Sequence, residues 1–179
     1  EKVKEAIINI LENDDSVHTH GYMSNAGYED VREKIAESIN KKEGTAFSSK
    51  NIVMTVGAAG GLNVILKTLL NPSDEVVVFA PFFGEYKNYV SNYDGVLKVC
   101  PPDTEGFMPN LLALSDIITE KTKAVIINSP NNPTGVIYPE NVIKELAELL
   151  TKKEKEFNSS IYLISDEPYR ELVYGEKKV

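Results

Sequence analysis

The apolar positions of the chain follow two rhythms that take turns. Val3, Ala6, Ile7, Ile10 and Leu11 recur on the 3.6-residue period, as do Val31, Ile35 and Ile39, and both stretches are predicted as amphipathic helices. The run NIVMTV (51–56) is rich in β-formers and is predicted as a strand, which GAAGG (57–61) turns into a helix carrying Leu62, Ile65, Leu66, Leu69 and Leu70 on one face. After the turn NPSDE come a second strand, VVVFA (76–80), and a helix-like stretch with Phe83, Tyr86, Tyr89, Val90 and Tyr93 at mixed spacings of three and four. A short strand VLKVC, a helix NLLALSDII, a strand KAVII and a helix PENVIKELAELL with proline in its first turn continue the alternation, and IYLIS (161–165) is the last strand.

Strands without internal polar alternation, each separated from the next by a helix, predict an α/β fold in three layers, with a mostly parallel sheet buried on both faces. In such sheets ligands collect at the carboxyl ends of the strands, so chemistry is to be sought there.

Composition narrows the class. With 179 residues, 42% hydrophobic and 26% charged, the chain has the make-up of one soluble globular domain. No apolar run approaches the roughly 20 residues of a membrane-spanning helix, and the charged amphipathic start EKVKEAIINILENDD is unlike a signal peptide. A cytoplasmic protein with no membrane partner is therefore expected. A net charge of -8 argues against nucleic acid as a partner. The single cysteine, Cys100, excludes an internal disulfide and is expected as a buried thiol. His18 and His20 in HTH form a pair that a metal could use, but the chain has no further histidine, and a surface or interface segment is the expectation. The charge run TKKEKEFN is expected as a solvated helix end and loop.

The strand ends are chemically unusual. Gly57, Ala58, Ala59, Gly60 and Gly61 are small enough to let backbone N–H groups at a helix amino terminus approach an anion such as phosphate, or simply to make a tight turn. Neither G-x-G-x-x-G nor G-x-x-x-x-G-K-[ST] is present, which disfavours a nucleotide-binding domain. In APFFGEY, Pro81 stops the ladder and two aromatics follow; one is expected in the core, while the other could stack on a flat heterocycle. The strand KAVII runs into NSPNNPTG (128–135), whose amides can fix a loop and present donors to a ligand. A bare turn would need fewer such residues. Finally, Asp166 directly follows IYLIS, where an unpaired charge is costly and a cationic partner is wanted, and Pro168 makes a plain helix cap a weaker alternative. An anion cradle, an aromatic face, an amide donor, a carboxylate and the Tyr169 phenol suit a flat, phosphorylated, cationic heterocycle, and pyridoxal 5'-phosphate is such a molecule.

SPNNPTG followed some thirty residues later by SDEPYREL resembles the fold-type-I, class I/II aminotransferase family. GYMSNAGYEDVREKIAE and TVGAAGGLNVILKTLLNPSDEVVVFAPFFGEY resemble other segments of that family, in the right order, so the likeness extends over nearly the whole chain. The resemblance implies a pyridoxal-phosphate enzyme moving an amino group between an amino acid and a 2-oxo acid, and working as a homodimer. It implies that Asp166 partners the pyridine nitrogen and that Tyr169 and Asn132 donate to the phenolate oxygen, with Asn132 also near the substrate carboxylate. It further implies that Phe83 stacks on the ring, that Gly57, Ala58 and Ala59 hold the phosphate, and that Tyr22 reaches the neighbouring subunit's phosphate. Cis peptide bonds before Pro81 and Pro133 are also implied.

The family's Schiff-base lysine is expected beyond Val179; Lys177 and Lys178 lie in a charged tail, and neither Arg32 nor Arg170 falls at the position of the arginine that clamps the substrate. The chain is thus expected as a fragment inactive alone, comprising an N-terminal helical segment (1–45) and a partial cofactor-binding large domain (46–179) with an incomplete sheet. Two of the family's strands would be absent between IVMTV and IYLIS, leaving a gap or an altered edge. A same-fold β-lyase and the cofactor-sensing domain of a transcriptional regulator stay open as alternatives.

Overall fold

The computed structural model describes residues 1–103 and 106–174. It divides into two compact units, Glu1–Val56 and Gly57–Val179.

In the first unit, α1 (Lys2–Asn13) and α3 (Glu29–Glu43) follow the predicted periodicity, while α2 (Ser16–His20) is a short helix that the periodicity did not predict. Helix α3 ends at Gly44, whose φ of 67° is the left-handed conformation that glycine adopts without steric cost. Arg32 of α3 ties two loops together: Nε donates to the Gly27 carbonyl at 3.1 Å, and the guanidinium also donates to the Ser49 carbonyl. The Glu33 carboxylate accepts from the Ser49 N–H at 2.6 Å.

The predicted strand NIVMTV does not form. A 3-10 turn occupies Ser49–Asn51, and the following residues are extended without joining a ladder. A strand needs a neighbour for its hydrogen bonds as well as β-forming side chains. Here Met54 N–H donates across to the Ala26 carbonyl at 2.9 Å, and Val53 and Val56 remain exposed.

The second unit begins with α4 (Gly57–Leu69), so GAAGG forms the helix's own first turns where a preceding turn was expected. There follow β1 (Glu75–Phe79), α5 (Tyr86–Ser91), β2 (Val96–Cys100), α6 (Leu111–Ile117), β3 (Thr122–Asn128), α7 (Glu140–Phe157) and β4 (Tyr162–Asp166). The four strands pair in parallel, in the order β2-β1-β3-β4. The central strands EVVVF and TKAVIIN are buried almost throughout, which is why they lack polar alternation. Successive side chains serve opposite layers. Val76, Val78, Ala124 and Ile126 pack with Leu62 and Leu66 of α4 and Tyr86 and Val90 of α5. Val77, Phe79, Val125 and Ile127 pack with Leu114 of α6 and Leu146 and Leu150 of α7. This is the predicted three-layer α/β arrangement.

Strand β4 lies at the sheet edge with Tyr162 and Leu163 exposed. Cys100 is a buried free thiol, pushed up to about 11 by burial. No group of three or more histidine, cysteine and carboxylate side chains able to hold a metal occurs among the described residues. Nor is any described helix long and apolar enough to cross a membrane. Helix α6 is capped by Asn110, whose side-chain oxygen accepts from the Ala113 N–H at 3.0 Å. Asn110→Ala is therefore expected to lower stability by about 1 kcal/mol, read as a lower urea midpoint at unchanged slope; an unmoved midpoint removes the cap from the account.

Candidate functional site

Parallel strands place their carboxyl ends together, and here those ends border a cavity of about 220 Å³. Six of the eight residues singled out in the sequence line it: Ala58 and Ala59 from the start of α4, Phe83 after β1, Asn132 after β3, and Asp166 and Tyr169 at and after the end of β4. Gly57 opens α4 with φ of 69° and is not among the lining residues. Tyr22 belongs to the first unit, where its side chain is fully exposed. Lys177 and Lys178 lie outside the described residues.

The three asparagines of NSPNNPTG divide the work. Asn131, buried, builds the loop: its Oδ1 accepts from the Thr134 N–H at 3.1 Å and hydroxyl at 2.8 Å, and its Nδ2 donates across to the Pro81 carbonyl at 3.4 Å. Asn128, the last residue of β3, sits in register with Asp166 of β4. Its Nδ2 donates to the Asp166 carbonyl at 2.8 Å, while its Oδ1 accepts from the Asn132 N–H at 2.7 Å. Asn132 is then free to aim its amide at the cavity, 3.5 Å from the Tyr169 hydroxyl. The peptide bonds before Pro81 and Pro133 are cis, as the resemblance implied, and so is that before Pro130.

The two aromatics after Pro81 also separate. Phe82 packs against the core layer of α4 and α5, while Phe83, 37% exposed, presents its ring to the cavity. Tyr86 lies beneath them, 1% exposed, and donates its hydroxyl proton to Oδ2 of Asp166 at 2.6 Å. Burial, and then the bond to and charge of Asp166, push the Tyr86 phenol well above its ordinary range. Asp166 makes no ion pair among the described residues, and its half-buried carboxylate borders the cavity.

Three lining or supporting residues escaped the sequence reading. The spacing of Tyr86 and Tyr89 marks them only as part of an apolar helix face, although a buried phenol needs a partner for its hydroxyl. Asn128 was treated as loop, although a buried amide closing an apolar strand must satisfy both its ends.

The donor set fits one kind of guest. Among the described residues Asp166 supplies the only charge on the cavity wall, Phe83 a flat apolar face, Asn132 and Tyr169 neutral donors, and the amino end of a 13-residue helix its N–H groups and positive dipole end. A planar ring bearing a protonated nitrogen, an oxyanion and a phosphate matches each.

The whole chain, residues 1–179, matches the model of the aminotransferase class I and II family. A probable aspartate/prephenate aminotransferase of Thermus aquaticus is 38% identical over 154 residues, which are 86% of this chain and 39% of the relative. An aminotransferase of Eubacterium rectale superposes with a TM-score of 0.96 at 44% identity, covering 99% of this chain and 45% of that one. Aspartate aminotransferase of Thermus thermophilus with maleate superposes with a TM-score of 0.85 at 34% identity, covering 98% and 44%. The chain belongs to the class I and II aminotransferase family, whose members generally depend on pyridoxal phosphate. It spans about two fifths of the length of the curated relatives it matches.

Proposed function

We propose that this chain is the cofactor-holding part of a pyridoxal-phosphate-dependent transaminase, which moves an amino group between an amino acid and a 2-oxo acid. The supporting observation is that Ala58, Ala59, Phe83, Asn132, Asp166 and Tyr169 meet at one cavity although they are spread along the chain from residue 58 to residue 169. When bound, pyridoxal phosphate supplies a ring that withdraws electrons from the substrate's α-carbon. The chain's own residues hold and tune that ring. The Asp166 carboxylate accepts from the ring nitrogen and keeps its proton in place. Asn132 and Tyr169 donate to the ring's oxygen, Phe83 covers one face and excludes water, and Ala58 and Ala59 offer backbone N–H groups to the phosphate.

In this proposal the covalent lysine and the arginine for the substrate carboxylate belong to residues outside this chain. Gly57 completes the phosphate turn, and Tyr22 reaches the phosphate of a neighbouring subunit in a cytoplasmic homodimer. The purified chain should therefore bind pyridoxal phosphate saturably and lose it on dialysis, and borohydride should fix it at no single preferred lysine. Absence of saturable binding would count against the assignment. An adduct fixed at one specific lysine would show that the chain carries its own anchor.

A further inference from the structure

Tyr86 is among the largest fully buried side chains, yet its phenol has no part in the roles given above. The hydroxyl reaches Asp166, 80 residues away in sequence, at 2.6 Å. Three rings fix the donor's position: Phe82 stacks on Tyr86 at 6.5 Å with planes 10° apart, Phe83 meets it edge-on at 5.7 Å, and Tyr89 lies at 6.5 Å. Asp166 is thus gripped twice, at Oδ2 by Tyr86 and at its backbone carbonyl by Asn128. Its Oδ1 takes no hydrogen bond among the described residues, and the residue lines the cavity.

We infer that Tyr86 is a positioning residue: its hydroxyl sets the rotamer of Asp166, leaving the other carboxylate oxygen to meet the ring nitrogen of the cofactor. The inference rests on the cofactor assignment proposed above. A carboxylate held at neither oxygen would spread over several rotamers, and a ligand would have to order it on binding. Tyr86 imposes that order beforehand. Because the phenol stays protonated throughout the physiological pH range, the donor is always present. Phe83 touches the same ring, so one buried tyrosine supports both the carboxylate and the stacking face.

The test uses the full chain and 4'-deoxypyridoxine 5'-phosphate, which keeps the ring nitrogen and phosphate but has no aldehyde to react with surface lysines. Tyr86→Phe removes only the hydroxyl. It should weaken the analogue about ten-fold, leave inorganic phosphate binding unchanged, and have less than a two-fold effect in the Asp166→Asn background, since both changes then act through one carboxylate. If Tyr86→Phe binds the analogue like the unaltered chain, or if the two penalties simply add, the inference is overturned while the cofactor assignment stands. If the unaltered chain does not bind the analogue, the assignment fails and the inference with it. Should Tyr86→Phe not fold, the unaltered chain still decides. Its Tyr86 hydroxyl proton should give a slowly exchanging NMR resonance that moves when analogue is added and shifts upfield in Asp166→Asn. A resonance that ignores the analogue overturns the inference.

Discussion

Asp166→Ala is expected to weaken binding of 4'-deoxypyridoxine 5'-phosphate by about 100-fold while leaving inorganic phosphate nearly unaffected. A hydrogen bond to a charged partner contributes about 1.5–3 kcal/mol, and roughly 1.4 kcal/mol corresponds to a factor of ten in affinity. Among the described residues Asp166 is the only charged side chain on the cavity wall, so none of them substitutes for it. The substitution has a second consequence, because it strands the buried Tyr86 hydroxyl that Asp166 accepts at 2.6 Å. An unsatisfied buried donor costs about 1–3 kcal/mol of stability. Asp166→Asn separates the two effects: it keeps an oxygen for Tyr86 and so most of the stability, but it lacks the charge that holds a pyridinium. Calorimetric titration of both variants against analogue and phosphate checks this. If both bind the analogue like the unaltered chain, the cavity does not use Asp166 to recognise the ring nitrogen.

What the sequence made legible follows from what its patterns depend on. Burial of a central strand on both faces is written directly into residues 76–79 and 124–127, and the structure follows. The site residues at the strand ends were visible for a related reason: Pro81 and Pro133 cannot continue a ladder, and the charge of Asp166 is costly where a buried strand emerges, so their presence there called for another purpose. NIVMTV shows where this logic stops. Its side chains favour a strand, but a ladder partner is a property of the three-dimensional neighbourhood and not of the segment. GAAGG misled in the opposite sense. Glycine's low helix propensity pointed to a turn, whereas near the end of a helix that penalty is small and one left-handed residue, Gly57, suffices to start it. Phe82 and Phe83 could not be told apart by spacing alone, since which ring enters the core depends on the chain's path after Pro81.

The residue whose loss should do most harm to the fold around the site is the one that ties two of its recognition elements together. Asn128 is 5% exposed, and both ends of its amide are used, at 2.8 Å to the Asp166 carbonyl and 2.7 Å from the Asn132 N–H. Asn128→Leu keeps the volume and removes both bonds, leaving a donor and an acceptor without partners at the junction of β3 and β4. Two such losses suggest about 2–4 kcal/mol of destabilisation, seen as a lower urea midpoint at unchanged slope. Analogue binding should weaken as well, because the strut that sets Asn132 relative to Asp166 is gone. Asn132→Ala provides the contrast. Its amide is only partly buried and its contact with Tyr169 is a long 3.5 Å, so it should cost little stability. Asn128→Asp sharpens the argument further. It retains an acceptor for the Asn132 N–H, but it loses the donor to the Asp166 carbonyl and sets a second carboxylate beside the first. If the bonds rather than the volume matter, Asn128→Asp should be destabilised at neutral pH and recover part of the loss as the pH falls and the new carboxyl is protonated. A melting curve for Asn128→Leu that overlays the unaltered chain would remove Asn128 from the support of the site.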